Sequence, residues 1–382
     1  MNIYLVLENF HCYKLQKKLI SICLIENSTS EVPRQGKGGG DDKINSPSPL
    51  RARGSSEPEA SRGEGRPFIP PAELGGIQAH FNKILKGFCM HHVGIIGTGS
   101  YVPKRILTNR DLEKMVATSD KWILERTGIR ERRIASEEET NVTMGRIALE
   151  RAIENAHIKS DEIEMLLAGT NTTEPVWPSA SGHVASMLGL KKNMPFFDVQ
   201  AGCTGFNYAL SIAEQFIKSG QYRTIAVVGT DKLSAITNYQ DRNTCVLFGD
   251  GAGAVVLQQR RKEGIIRSHL GGDYMRRHFL VLRNNEKNGN KYMWMEGRKV
   301  YVFAKRAMLE SCLRVLDPSG TASKKELRAL LNQVDKIIPH QANARIIEAA
   351  AKDLESLLEL PYGAVKNKMI VTIEKYGNNS TA

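Results

Sequence analysis

From residue 93 onward the apolar positions of this chain fall into short runs that alternate with amphipathic stretches. Val93-Gly94-Ile95-Ile96 is a buried-strand pattern that ends in the glycine turn Gly97-Thr98-Gly99. Residues 138–156 place apolar side chains at helical spacing, and residues 163–169 are a continuous apolar run of strand length. The same alternation gives a helix over 208–219, a strand over 224–229, and a strand over 245–248. That last strand leads through a glycine-rich turn into another at 255–257. A long helix follows over 300–316, then a strand at 334–338, a helix at 342–357 and a strand at 369–373. Strands and helices in alternation predict an α/β fold with a parallel sheet and helices on both faces.

The first ninety residues do not share this pattern. Apolar stretches before residue 28 are broken by Glu8, Lys14, Lys17 and Lys18, unlike the single clean apolar block of a secretory signal. Residues 28–75 are rich in Ser, Gly, Pro, Arg and Glu, with Gly38-Gly39-Gly40 and Ser46-Pro47-Ser48-Pro49. Such a composition cannot bury enough apolar surface to offset chain entropy, and it reads as disordered. The organisation expected is a disordered or non-native leader over 1–89, with Met90 as the natural start. A transit peptide is the rival reading, which its acidic residues oppose.

Composition narrows the function classes. Lys and Arg outnumber Asp and Glu by 53 to 41, for a net charge of +12, which favours anionic partners without choosing among them. The six cysteines (12, 23, 89, 203, 245 and 312) have no C-x-x-C or paired spacing, so neither a disulfide framework nor a zinc site is indicated. No apolar run approaches the roughly 18 residues of a membrane span.

Three segments carry candidate chemistry. In Asp198-Val199-Gln200-Ala201-Gly202-Cys203-Thr204-Gly205 a strand ends, small residues turn the chain, and a helix starts at the cysteine. A helix N-terminus favours thiolate, so Cys203 is a candidate nucleophile. In Ile337-Ile338-Pro339-His340-Gln341 a histidine leaves the carboxyl end of a strand, where ligands gather in α/β folds. The third segment, Lys375-Tyr376-Gly377-Asn378-Asn379-Ser380, is a turn after a strand. Cys, His and Asn together suit two chemistries: papain-like hydrolysis, or carbon–carbon bond formation through an acyl-cysteine. The glycines of residues 248–254 precede a strand rather than a helix, which sets aside a phosphate-loop reading.

Residues 93–382 resemble the β-ketoacyl-[acyl-carrier-protein] synthase III family. The resemblance rests on residues 97–103, 118–130 and 198–206, on Asp241-Arg242-Asn243-Thr244 with residues 248–254, and on residues 339–343. It implies a thiolase-like fold of two similar halves in α-β-α-β-α layers, here 90–265 and 266–382, in a homodimer. It implies that Cys203 holds an acyl group taken from acetyl-CoA or another short acyl-CoA. His340 and Asn378, with Asn379 a rival, would hydrogen-bond the thioester carbonyl of malonyl-acyl-carrier protein during decarboxylative condensation. No metal or redox cofactor is implied, and neither nucleic acid nor membrane is a partner. Thr118, Trp122, Arg126 and Arg242 would bind coenzyme A. Trp177 and Phe248 would border the acyl pocket, with Trp177 reaching the partner subunit and favouring short primers. Arg345 is the family's position for carrier-protein docking; Lys305, Arg306 and Lys352 are added from charge and helix placement. A cytoplasmic enzyme is expected, or a plastid one if the leader is a transit peptide. The family also continues past Asn378 with a helix, strands and a glycine-rich loop that donates to the oxyanion hole. The second half is therefore expected to be C-terminally truncated, with an inactive homologue or a related condensing enzyme of secondary metabolism as alternatives.

Overall fold

The computed structural model describes residues 3–6, 19–22, 91–261, 264–285 and 289–382. The described strands, in chain order, are β1 (Ile3–Val6), β2 (Leu19–Ile22), β3 (His92–Tyr101), β4 (Arg105–Thr108), β5 (Glu131–Ile134), β6 (Met165–Gly169) and β7 (Phe196–Val199). Then come β8 (Thr224–Asp231), β9 (Gly251–Arg260), β10 (Ile265–His269), β11 (Leu280–Asn284), β12 (Lys291–Met295) and β13 (Val334–Ile338). The described helices are α1 (Asn109–Glu113), α2 (Asp120–Thr127), α3 (Asn141–Ala156), α4 (Ala180–Met187), α5 (Gly205–Lys218), α6 (Gly297–Leu316), α7 (Lys324–Asn332), α8 (Ala344–Leu357) and α9 (Ile373–Tyr376).

A five-stranded sheet of order β3-β9-β8-β6-β7 forms the first half. Its strands alternate their side chains, as a pleated sheet buried on both faces must. Leu166, Ala226, Val228, Ala254 and Val256 join one core with Met144, Ala148, Leu149 and Ala152 of α3. Met165, Leu167, Ile225, Val227, Val255 and Leu257 join another with Phe206, Ala209, Leu210, Ala213 and Ile217 of α5. Ile265 of β10 and Ile338 of β13 belong to this second core, which sets α5 between the two sheets. Beyond them, Val334 and Ile337 pack with Met308 and Cys312 of α6 and with Ile346, Ile347, Ala350 and Leu354 of α8. The layers therefore run helix, sheet, helix, sheet, helix.

Several expectations change. The first sheet is mixed rather than parallel, because β9 runs antiparallel to both β8 and β3. Residues 245–248, expected as a strand, are turns that end in a single bridge between Phe248 and Asn378. Residues 369–373 also make only one bridge, Ile337 to Met369, before α9. Both stretches have strand composition, but each meets its distant partner segment at one bridge, too short to build a ladder. Gly251 and Gly253 lie within β9 rather than in a turn before it.

The second sheet has the order β10-β2-β1-β13, with parallel pairing throughout. Leu5 of β1 pairs with Ile337 of β13 and Ile20 of β2. Two stretches of the expected leader are thus strands of this sheet, and a boundary at Met90 does not separate them from it. The reading of residues 28–75 as disordered lies outside the described residues.

Candidate active site

Cys203 stands at the turn between β7 and α5. Gly202, at φ 57°, reverses the chain in the left-handed region that favours glycine. Thr204 N and Gly205 N then donate to Ala201 O and Gly202 O, both at 3.2 Å. Cys203 is half-buried and lies one residue before the N-cap Thr204, against the positive end of a fourteen-residue helix.

The segment after α9 closes on that turn. Asn378 N donates to Leu247 O at 2.9 Å and Gly249 N to Asn378 O at 3.0 Å. The side chain of Asn378 is buried, and its Oδ1 accepts from Ser380 N at 2.9 Å, which leaves Nδ2 as the donor end. Asn379, the rival, is also buried, but its Nδ2 reaches Asp250 O at 3.1 Å and Tyr376 O at 3.4 Å. Ser380 Oγ donates to Cys203 Sγ at 3.6 Å. Cysteine and asparagine segments, 175 positions apart in sequence (378 − 203), are therefore neighbours.

His340 follows β13 and Pro339 and is half-buried. The next residue, Gln341, ties its segment to the approach to Asn378: Oε1 accepts from Thr372 N at 2.8 Å and Ile373 N at 3.0 Å, while Nε2 donates to Ile370 O at 3.2 Å.

The four expected coenzyme A residues also gather. Ser119 caps α2 by accepting from Trp122 N at 3.1 Å, and Trp122 and Arg126 share one face of that helix. The Arg126 guanidinium lies 6.0 Å from the Trp122 ring centroid and that of Arg242 lies 4.9 Å from it. Both arginines are exposed, and Arg242 Nη1 donates to Ala117 O at 3.0 Å. Thr118 Oγ1 is buried with no hydrogen-bond partner. Asn343 Nδ2, at the start of α8, donates to Arg126 O at 3.0 Å and so joins α2 to the histidine segment.

The pocket and docking residues are more dispersed. Phe248 is buried beside Asn378, whereas Trp177 is 86% exposed and does not enter this chain's own site. Arg345 is exposed and sits 5.7 Å from the Tyr301 ring. Lys305 pairs with Asp353 at 2.7 Å and Arg306 with Glu310, so these two cations meet local carboxylates. Lys352 is exposed.

Sequence reasoning missed three residues that organise the site. Asp231, buried at the end of β8, accepts from Asn171 N at 2.7 Å, Thr172 Oγ1 at 3.1 Å and Thr381 Oγ1 at 2.9 Å. A carboxylate closing an apolar strand was the available signal. Asn171 bridges Asp231, Gly202 and Ser380. Arg132, fully buried, donates to Leu107 O, Asn109 Oδ1 and Val246 O at 3.2, 2.9 and 2.7 Å. Burial pulls its guanidinium down to about 10, and nothing in the polar run Glu131-Arg132-Arg133 marks it as interior.

Comparison with known proteins shows the family and the fold. Residues 197–273 match the family model for 3-oxoacyl-[acyl-carrier-protein (ACP)] synthase III, and residues 326–382 match its C-terminal model. The chain is 44% identical over 302 residues to the β-ketoacyl-[acyl-carrier-protein] synthase III of Clostridium acetobutylicum, covering 77% of this chain and 87% of that protein. Against the Listeria innocua protein of the same name it is 45% identical over 292 residues, covering 76% and 86%. Among solved structures, 3-oxoacyl-[acyl-carrier-protein] synthase III from Aquifex aeolicus superposes with a TM-score of 0.66 at 42% identity, over 76% of this chain and 87% of that one. The priming β-ketosynthase of the R1128 polyketide pathway superposes at 0.65 with 30% identity, over 77% and 85%. With its thiolase-like layers and a cysteine turn closed by the asparagine segment, this chain belongs to the β-ketoacyl-[acyl-carrier-protein] synthase III family.

Proposed function

We propose that the protein condenses a short acyl-CoA, acetyl-CoA first, with malonyl-acyl-carrier protein and so starts fatty-acid synthesis. Cys203 attacks the thioester carbonyl of the acyl-CoA; the acyl–sulfur bond to coenzyme A breaks and coenzyme A leaves as its thiol. The malonyl group then loses carbon dioxide. The electron pair of the broken carbon–carbon bond enters an enolate, which attacks the acyl-Cys203 carbonyl and releases the cysteine. His340 and Asn378 donate to the enolate oxygen, because fixed donors in a water-poor site stabilise charge that appears only in the transition state. The reaction requires no metal or redox group.

One observation carries this reading: the Cys203 turn and the 378–380 segment meet at the sulfur, with Ser380 Oγ 3.6 Å from Sγ. Trp122, set between Arg126 and Arg242, supports an adenine stacked on the indole with its phosphates on the guanidinium groups. The unpartnered Thr118 Oγ1 supports a further hydrogen bond to the adenine. Trp177 is read as reaching the acyl pocket of a partner subunit in a homodimer. Phe248 forms this chain's side of the pocket, and Arg345, with Lys305, Arg306 and Lys352, receives the acidic carrier protein. Among the described residues no helix is long and apolar enough to cross a membrane, and a cytoplasmic location is proposed.

Radiolabelled acetyl-CoA tests the reading. Label is expected on Cys203, absent from Cys203→Ala, and chased into a β-ketoacyl product by malonyl-acyl-carrier protein. Equal labelling of Cys203→Ala defeats it. Label that transfers only to another acceptor favours a condensing enzyme of secondary metabolism.

A further inference from the structure

We propose that Ser380 is a further catalytic residue, whose hydroxyl proton is aimed at Cys203 Sγ by Asn171 and Asp231. The proposal rests on the reading of Cys203 as the acyl-carrying nucleophile.

The direction of each hydrogen bond follows from donor and acceptor capacity. Asn171 Nδ2 lies 3.0 Å from Asp231 Oδ2 and 3.1 Å from Gly202 O. Carboxylate and carbonyl oxygens only accept, so the nitrogen end of the amide must face them. The same nitrogen lies 3.1 Å from Ser380 Oγ. This nitrogen has two hydrogens for three oxygens and accepts no hydrogen bond, so the Ser380 hydroxyl cannot donate to it. Its one proton is left for Cys203 Sγ, 3.6 Å away. Ser380 itself is buried and held at φ 57° by its neighbours: its N donates to Asn378 Oδ1, and Thr381 Oγ1 donates to Asp231 Oδ2 at 2.9 Å and also lies 3.1 Å from Gly169 O.

A donor fixed in this way stabilises negative sulfur before attack and again when the acyl group departs. The charged and titratable groups on the surrounding elements act at one remove. Asp231 reaches the sulfur only through Asn171 and Ser380. Lys232 Nζ donates to Ser136 O at 2.6 Å, and Asp198 of β7 accepts from Ala180 N and Ser181 N. Asp250, buried next to Asn379, accepts from Ala135 N and from Ser234 N and Oγ, and His340 is proposed to serve the malonyl thioester.

The test is the rate of Cys203 alkylation by iodoacetamide across pH 6–10 in the full chain, followed by peptide mass spectrometry. Loss of a hydrogen bond to a charged group is expected to make Ser380→Ala slow alkylation at neutral pH by about tenfold or more. Ser380→Gly, which suits the positive φ, gives the same slowing without backbone strain and serves if the alanine variant fails to fold. Asn171→Ala slows alkylation to an intermediate degree by releasing the hydroxyl. A wild-type profile in both Ser380→Gly and Ser380→Ala overturns the proposal. Alkylation needs no acyl transfer, so Ser380-dependent alkylation with no acetyl labelling would defeat the proposed function while leaving the hydrogen bond from Ser380 to the sulfur in place.

Discussion

Phe248 and Asn378 are bridged backbone to backbone, so the wall of the proposed acyl pocket and the proposed enolate donor are one rigid unit. Main-chain hydrogen bonds on both sides set the position of this pair, while the Asn378 side chain supplies the Nδ2 donor and, through Oδ1, an acceptor for Ser380 N. Asn378→Ala is expected to lower the condensation rate by about a hundredfold, the usual cost of one such donor. Acylation of Cys203 by acetyl-CoA should stay within a few-fold of wild type. Single-turnover measurement of each half-reaction checks this split, and equal loss in both steps would contradict the role.

Trp122 is half-buried, with the Arg126 and Arg242 guanidinium groups 6.0 and 4.9 Å from its ring centroid. Trp122→Ala and Arg242→Ala are expected to raise KM for acyl-CoA by about tenfold each, a loss of near 1–2 kcal/mol of stacking or phosphate contact. The kcat at saturation should barely change. Steady-state kinetics with acetyl-CoA and with a truncated acyl-pantetheine separates the effects, since the short thioester lacks adenine and should not distinguish the variants from wild type.

Arg132 holds three oxygen acceptors from the β4–α1 region and from the turn that leads to Phe248. Its replacement by Met leaves these acceptors unpaired in the interior. A loss of about 2–4 kcal/mol of unfolding free energy is expected. Urea denaturation measures it; a change below 0.5 kcal/mol, on the order of an ordinary surface substitution, would show that the guanidinium is dispensable.

Gly229, on β8, faces the segment that carries Ser380. A Cβ there would meet Thr381 O at 1.9 Å, which no rotamer can relieve because the obstacle is backbone. Gly229→Ala is expected to push the 378–382 segment from the Cys203 turn. Condensation should fall by at least about a hundredfold, as for loss of a fixed donor, while Trp122-dependent coenzyme A binding survives. Calorimetric titration with coenzyme A alongside the activity assay tests that combination.

Cys245 is fully buried, and loss of solvation pushes its thiol up to about 11 from 9.0. Because the folded chain prefers the protonated thiol, its contribution to stability is complete below pH 9 and is lost as pH rises towards 11. The thermal midpoint is expected to fall over that window, and less steeply in Cys245→Ala. Tyr101, raised to about 12 from 10.0 chiefly by its hydrogen bond to Glu139, adds a slope from pH 10 that this variant retains. Near neutral pH the same burial keeps Cys245 and Cys312 inert, so alkylation among the described cysteines should fall on Cys203.

Much of the site was legible because its parts sit at strand exits. The runs before Cys203 and His340 end where small or helix-breaking residues follow, and β13 has the bounds its apolar pattern predicts. The helix Asp120–Thr127 placed Trp122 and Arg126 on one face through local spacing alone. Residues 245–248 and 369–373 misled because apolar composition reports burial and not ladder pairing. In the structure each stretch finds a single bridge, and the first of these turns supplies the backbone partner of Asn378.

The amino-acid sequence by itself determined the alternation of strands and helices, the thiol at a helix start, and the family motifs, since all of these depend on neighbours a few positions apart. Only the tertiary structure decided which groups meet across the chain. It set Asn171 against Ser380, 209 positions apart, and Arg132 against Val246, 114 apart. It also placed residues 3–6 and 19–22 in the second sheet. The physical reason is that a buried donor needs an acceptor within about 3 Å, and any distant segment that the packing of sheets brings there can provide it.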